Sequence, residues 1–302
     1  MAYIDAVKSG KKTFYYLGKT LRLGPKRWKK LRIKLGEKEP SREQIAKSLK
    51  ALRLQEYDIY NEGYLDASKL EVIDDFKEVF NERIKKMPLT VREKEELDFL
   101  IRFTYNSNAI EGNRLTLRET YLIIKDKQIP SGAPPKDYNE AINGREAFEV
   151  LKAYKGRLTI GFIEDINGIL VKNTGVIYPG RIRFFPVVIS GSDFKPPEER
   201  EVPRLLKRMI QFYYDHKNKI HPFVLACIIH AQFVEIHPFE DGNGRTGRAL
   251  MNWILMHAGY PKLFIPVKQR QAYYDAIDLH NTQDYQGYCD KMFQIVIEQT
   301  RL

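Results

Sequence analysis

The sequence predicts a mainly α-helical protein: a helical bundle carrying one β-hairpin, with a small antiparallel β-meander at its N-terminus. Three observations carry that prediction. Apolar residues recur at helical spacing from about residue 41 to about residue 280. Residues 1–36 instead mix Thr, Tyr and Phe with turn signals, as short strands do. One internal stretch, Arg181–Gly191 (RIRFFPVVISG), joins aromatic to β-branched residues between Pro179-Gly180 and Gly191 and resists a helical reading.

Within the meander, Lys12–Leu23 reads as a strand, Gly24-Pro25 as a turn and Trp28–Leu35 as a second strand. Past Pro40 the pattern changes. Ser41 and Glu43 precede Ile45, Leu49 and Leu52 at helical spacing, and similar patterns continue through Leu70–Met87. A capping box, Thr90-Val-Arg-Glu93, is expected to open the next helix, which carries Leu97, Leu100, Ile101 and Tyr105. Gly112 and Asn113 are its stop signals. Further helices are expected near 116–126, 136–154, 159–171, 199–216, 222–236, 244–257 and 269–280. The expected division is a basic β-rich segment, 1–38, a helical region, 39–130, and a core, 131–302, with the last two packed as one unit.

A chain of 302 residues, 43% hydrophobic, can bury a substantial core. Cys227 and Cys289 are too few and too far apart for a disulfide framework or a Cys-rich zinc site. MAYIDAVKSGKK has no apolar signal core, and VLACIIHAQFVEI is broken by His230, Gln232 and Glu235. The expectation is a cytoplasmic protein with no membrane partner. Of the formal net charge of +11, residues 1–36 supply eleven Lys/Arg against the single acid Asp5, so the remainder is nearly neutral.

The tetrapeptide IHPF occurs at 220–223 and again at 236–239, but only the second copy runs on into EDGNGRTGR. A Gly-rich turn feeding a helix N-terminus presents unsatisfied amides, a ready site for phosphate. Arg245 and Arg248 share a face of that helix's first turns. Cations there oppose the macrodipole, a cost that a polyphosphate lying across them would offset. Asp241 would repel phosphate unless a divalent cation came between them, and Mg²⁺ suits that role. His237, at the rim, is a candidate general base for an incoming hydroxyl. His221 has no such loop and reads as a partly buried polar residue at a helix start. His230 reads as a core residue or one standing behind the site.

His237-Pro-Phe-Glu-Asp241-Gly-Asn-Gly-Arg245-Thr-Gly-Arg248 resembles the Fic family motif, HxFx(D/E)GNGRxxR, at every specified position. The resemblance implies a helical Fic-type fold that binds Mg·ATP and transfers AMP to a Tyr, Thr or Ser hydroxyl of a target protein. It implies His237 as base and Asp241 as Mg²⁺ ligand. Asn243 and the Gly242 and Gly244 backbone become the α-phosphate cradle, Arg245 and Arg248 the clamps on the outer phosphates, and Phe239 a core anchor. The similarity spans roughly residues 90–290. Arg181–Gly191 resembles the family's flap, so Phe185, Val187, Val188 and Ile189 would receive the target by strand addition. Tyr273 and Asn281 match positions that contact adenine, although a tyrosine in a helix is also ordinary packing.

Upstream, Ser107-Asn-Ala-Ile-Glu111-Gly112 resembles the family's inhibitory motif, (S/T)xxxE(G/N). Ser107 and Glu111 lie one helical turn apart, so the hydroxyl can orient the carboxylate. The implied partner is Arg248, whose charge Glu111 would withhold from the γ-phosphate. Without the resemblance, Glu111 is a solvated carboxylate at a helix end. Two other readings stay open: a hydrolase or other phosphate-group transferase of the same family, and a nucleic-acid-binding or adaptor protein acting through residues 1–36. For the latter, interleaved Tyr15, Tyr16, Trp28 and basic residues fit a stacking surface for nucleic acid or another acidic partner. They equally fit a basic sheet docked on an acidic face of the chain itself. A homo-oligomer is compatible with all of these.

Overall fold

The computed structural model describes residues 2–189 and 192–298. The chain forms two compact units, Met1–Ile73 and Asp74–Leu302.

In the first unit β1 (Tyr3–Ser9), β2 (Lys12–Gly24) and β3 (Arg27–Gly36) form an antiparallel sheet in that order. Its turns use left-handed residues, Gly10 at φ 61° and Lys26 at φ 59°. Strand alternation sends Leu17, Leu21, Leu31 and Leu35 to one face, where they bury together with Leu52 of α1 (Arg42–Tyr60). Ser41 starts α1 by accepting a bond from the Gln44 amide at 3.2 Å. Because the sheet and α1 share this core, residue 38 is not where the compact units divide. A small sheet alone is marginal in water and needs such a packing partner.

α2 (Ala67–Lys86) contains the division point at residue 73. The second unit continues with α3 (Leu89–Ile110), α4 (Leu117–Tyr121), α5 (Pro135–Ala153), α6 (Ile160–Leu170) and α7 (Val202–His216). It ends with α8 (Pro222–Ile236), α9 (Asn243–His257), α10 (Arg270–Asn281) and α11 (Tyr285–Ile297). Eleven of the fifteen residues of α8 are buried, as befits a helix apolar all round, and α9 packs along it with twelve buried. This buried pair fixes the loop between them. No helix among the described residues is long and apolar enough to cross a membrane.

Two local expectations change. Thr90 does not cap α3, because Pro88, at φ −57°, is its N-cap and the helix already begins at Leu89. A capping box forms instead at Thr116, whose side chain accepts from the Glu119 amide while Glu119 accepts from the Thr116 amide. Residues 181–189 form no strand ladder. Pro186 offers no amide, and Phe184 and Phe185 fold against Tyr178 with ring centroids 5.1 and 6.1 Å from it. Ser190 and Gly191 of the expected hairpin lie outside the described residues. At the end of α3, Gly112 adopts φ 92°, and the amides of Gly112 and Asn113 close on the Ala109 and Asn108 carbonyls.

Candidate active site

α8 ends at His237, which takes the left-handed conformation (φ 49°) rare outside glycine. Its amide still bonds the Phe233 carbonyl at 3.1 Å, and its own carbonyl accepts from Arg183 Nε at 2.8 Å. Nδ1 lies 3.2 Å from the Val234 carbonyl. A carbonyl can only accept, so Nδ1 carries the proton and Nε2 keeps a lone pair. Burial holds the imidazole below its ordinary pKa, against the opposing effect of the Val234 bond. His237 is therefore neutral and basic at Nε2 around pH 7.

Phe239 is buried and anchors the loop. The Asn243 carboxamide accepts from the Phe239 amide at 3.0 Å and donates to the Phe239 carbonyl at 2.9 Å. Its side chain thus closes the turn, and what Asn243 offers a ligand is its backbone amide at the start of α9. Gly242 sits at φ 78° against Val171 and Asn167, leaving no space for a Cβ.

The acids and cations around the loop are sorted into two clusters. In the first, buried Arg245 places Nη1 3.0 Å from Glu140 Oε1 and Nη2 3.2 Å from Asp241 Oδ2. Lys136 Nζ lies 4.0 Å from each of the same acids. Burial would raise the Asp241 pKa, but Arg245, the Gly242 amide and Lys136 outweigh it and hold the carboxyl below its usual value. Arg245 is thereby committed to two carboxylates and acts as the support of Asp241.

The second cluster centres on Arg248, only 1% exposed. Its Nε donates to Ser107 Oγ at 3.0 Å, and Nη2 donates to the Ser107 carbonyl and to Glu111 Oε1, both at 2.8 Å. Its Nη1 donates to Tyr273 Oη at 3.2 Å. Ser107 therefore orients the arginine, not the carboxylate that its spacing suggested. Glu111 lies over the α9 N-terminus: a Cβ added to Gly244 would collide with Glu111 Oε1.

Several residues that hold the site have no motif. Asn167 of α6 donates to the Asp241 carbonyl at 3.0 Å and to Thr246 Oγ1 at 3.2 Å, and accepts from the Gly180 amide at 3.1 Å. Glu240 receives the amides of Ile177 and Tyr178. Asn113 donates to Glu140 Oε2 at 2.7 Å, tying the end of α3 to the Arg245 cluster. Arg183, 3% exposed, donates to the carbonyls of His237, Phe185 and Pro197, while its amide bonds the Pro238 carbonyl. The sequence signal for Asn167 is a polar residue on the apolar face of α6; Arg183 and Glu240 lie in loops, where no such pattern exists. Beyond Arg183 the segment is open: Phe184 is 54% and Val188 88% exposed.

Tyr273 is buried and continues inward from Arg248. Its hydroxyl lies 2.9 Å from His230 Nε2, His230 Nδ1 lies 3.0 Å from Tyr288 Oη, and Tyr288 donates to the Cys227 carbonyl at 2.8 Å. Tyr274 is the half-buried neighbour, and its hydroxyl donates to the Ile110 carbonyl at 3.1 Å. Asn281 closes α10 with Oδ1 buried and unbonded. His221 is fully buried, accepting from the Phe223 amide through Nδ1 and meeting Asp74 and Tyr260 through Nε2.

The family description "Fic/DOC family" matches residues 157–255, the span from the foot of α6 to the end of the α8–loop–α9 unit. The chain contains a Fic/DOC family domain. Curated relatives named protein adenylyltransferase Fic include those of Drosophila ananassae, 31% identical, and Drosophila melanogaster, 32% identical, each over 228 residues. These alignments cover 74% of this chain but only 45–46% of the relatives, so the chain spans about half of their length. Among solved structures, residues 134–508 of Fic-1 from C. elegans superpose with a TM-score of 0.68 at 27% identity, covering 78% of this chain and 69% of that one. A Fic domain signalling protein from Bacteroides thetaiotaomicron, 22% identical with a TM-score of 0.69, shares the fold over 77% of this chain and 94% of its own. In this Fic domain the motif loop, Asn167 and Arg183 all fall inside the matched span, whereas Glu111, Glu140 and Tyr273 act on it from outside.

Proposed function

We propose that this chain is a protein adenylyltransferase, moving AMP from ATP to a Tyr, Thr or Ser hydroxyl of a target protein, and that Glu111 restrains it. One observation carries the reading. A carboxylate already sits on Arg248 and over the N-terminus of α9, the position where the loop amides and the guanidinium invite an anion. An anion site filled by the chain's own Glu111 is a phosphate site held closed.

In the open form the target hydroxyl gives its proton to Nε2 of His237, and its oxygen attacks the α-phosphorus. The bond to the β-phosphate oxygen breaks, and pyrophosphate leaves with the electron pair. The α9 amides of Asn243 and Gly244 support the α-phosphate, and Arg248 takes the outer phosphates. Asp241, ionised and half-exposed, suits Mg²⁺ as a single hard oxygen donor, with phosphate oxygens supplying the rest of the shell. Mg²⁺ bound there would neutralise phosphate charge. The buried, unbonded Oδ1 of Asn281 favours that residue for an adenine amino group, whereas Tyr273 is engaged with Arg248. In the segment with Phe185, Val187, Val188 and Ile189, Val188 is exposed and the others half-buried, and the backbone around Val187 and Val188 is what it offers an extended target.

The test uses ATP labelled at the α- or the γ-phosphate, with wild-type and Glu111→Gly protein. Covalent label from the α-position alone is expected. Label from the γ-position, or none with either protein, would refute the reading. Release of AMP from a modified target would indicate the hydrolase instead.

A further inference from the structure

We infer that the outer face of the N-terminal sheet binds single-stranded RNA. The inner face is spent on the leucine core with α1, so alternation places Phe14, Tyr16, Arg22, Trp28, Lys30, Arg32 and Lys34 on the opposite, solvent side. The register sets Lys34 beside Tyr16 and Trp28 beside Arg22, while Tyr3 of β1 lies opposite Gly18. Gly18 has a use there: a Cβ would strike the Tyr3 ring, so glycine lets that ring lie across the sheet.

Each ring on this face has a cation over it. Arg32 stands 3.7 Å from the Tyr16 centroid and Lys34 4.3 Å from that of Phe14. Arg22 stands 5.6 Å from Trp28 and Lys30 5.7 Å from Tyr3. Trp28 is 62% exposed. Two of the four rings, Trp28 and Tyr3, are exposed and two, Phe14 and Tyr16, half-buried. Apolar residues scattered singly over a surface are ordinary, but rings gathered on one face make a contiguous patch, and such patches mark interaction sites. Asp5, the one acid in residues 1–36, lies 3.5 Å from Arg32 and 3.9 Å from Lys30 and offsets a single charge.

Charge complementarity selects a polyanion, and the interleaved rings select one that carries flat bases. An acidic peptide would use the cations and leave the rings in water. Lys30, Arg32 and Lys34 follow one another at about 6.6–6.8 Å, twice the strand rise per residue, a spacing suited to successive phosphates of an extended strand. Rings can stack only on unpaired bases, the ordinary state of RNA loops and ends, and sheet faces bearing aromatic residues are an established RNA-binding geometry. The hydroxyls of Thr20, Tyr3 and Tyr16 on the same face supply partners for the 2′-OH. This function is independent of the loop chemistry.

The test is fluorescence anisotropy of the full chain with a labelled RNA of about twelve nucleotides, from about 50 to 200 mM salt. Binding should weaken steeply with salt. Replacing Lys30, Arg32 and Lys34 by Gln should flatten the log–log salt slope by about 2, at roughly 0.7 per phosphate contact. Trp28→Ala should lower affinity by roughly 5- to 150-fold, the range of one base–aromatic stack, with the slope unchanged. Trp28→Phe should retain most of the affinity, separating stacking from misfolding. No binding at the lowest salt, or full affinity in Trp28→Ala, would overturn the proposal. So would equal or tighter binding of the same DNA strand or duplex, or equal competition by polyglutamate.

Discussion

Replacing Glu111 by glycine tests the restraint where the structure is most specific. The change removes one of four hydrogen bonds to Arg248 and leaves the two to Ser107 and the one to Tyr273. Glu111 is 34% and Arg248 2% exposed at the side chain, so the pair lies between a surface contact, ~0–1 kcal/mol, and a broken buried one, ~3–5 kcal/mol. The three remaining bonds place the cost near the lower bound, about 1–2 kcal/mol. Stability should therefore fall modestly, about 2–8 °C in melting temperature, and Mg·ATP should restore it by giving Arg248 a new anion. The same 1–2 kcal/mol, no longer holding the closed form, corresponds to a rise of about 5- to 30-fold in AMP transfer. The assay is self-modification by purified protein, read by intact mass after incubation with Mg·ATP. No rise, with ATP binding established by calorimetry, would refute the restraint. A rise that persisted in Glu111→Gly with Arg248→Ala would refute the pairing as its basis.

His237→Ala should cut transfer by ~10²–10⁴-fold with ATP binding largely kept, whereas His221→Ala should leave single-turnover transfer near wild type in folded protein; both are read by label incorporation. Because burial depresses the His237 pKa, the neutral base persists below pH 6.5, so the rate should stay level from pH 7 to 6.5 and fall only at lower pH, as a pH–rate profile would record. Asp241→Ala, or wild type in EDTA, should lose turnover, and undiminished transfer without divalent metal would remove this residue's role. His230 and His280 are buried, with pKa values lowered to about 3 and about 4. The unfolded chain binds protons at these residues below pH 6.5 while the folded chain does not, so each should cost up to about 1.4 kcal/mol per pH unit from there toward its folded value. Denaturant midpoints across that window should fall with pH, and His280→Gln should shallow the decline.

What was legible in the sequence follows from how local its cause is. The motif loop could be read because each residue answers to its neighbours: glycine at positive φ, amides at a helix start, two arginines one turn apart. Ser41 and Gly112 were legible for the same reason. Glu140, Asn167 and Arg183 were not, because their partners lie 105, 74 and 54 residues away in Arg245, the Asp241 carbonyl and His237. Ser107 illustrates the limit from inside a motif: spacing alone put its hydroxyl near Glu111, but the buried Arg248 competes for it and wins. The flap failed as a ladder for a similar reason, since Arg183 ties its base to His237 and Pro238 and its aromatic residues pack on Tyr178.

The buried chain behind Arg248 accounts for how the restraint proposed for Glu111 would act without rebuilding the site. Tyr288 donates its proton to the Cys227 carbonyl, so its oxygen must accept from His230 Nδ1. A neutral His230 protonated at Nδ1 leaves Nε2 to accept from Tyr273, whose oxygen is then free to accept from Arg248 Nη1. Burial keeps His230 neutral, and the charge of Arg248 adds to that effect, so the direction of every bond is fixed. Ser107 holds the other edge of the guanidinium. A lysine, with three donors on one nitrogen, could not satisfy both edges at once. Arg248 is thus aimed by the core, and its one variable partner is the anion on Nη2. Exchanging Glu111 for a phosphate oxygen would change that single bond and leave its three supports in place, so the restraint proposed for Glu111 would be reversible at small structural cost.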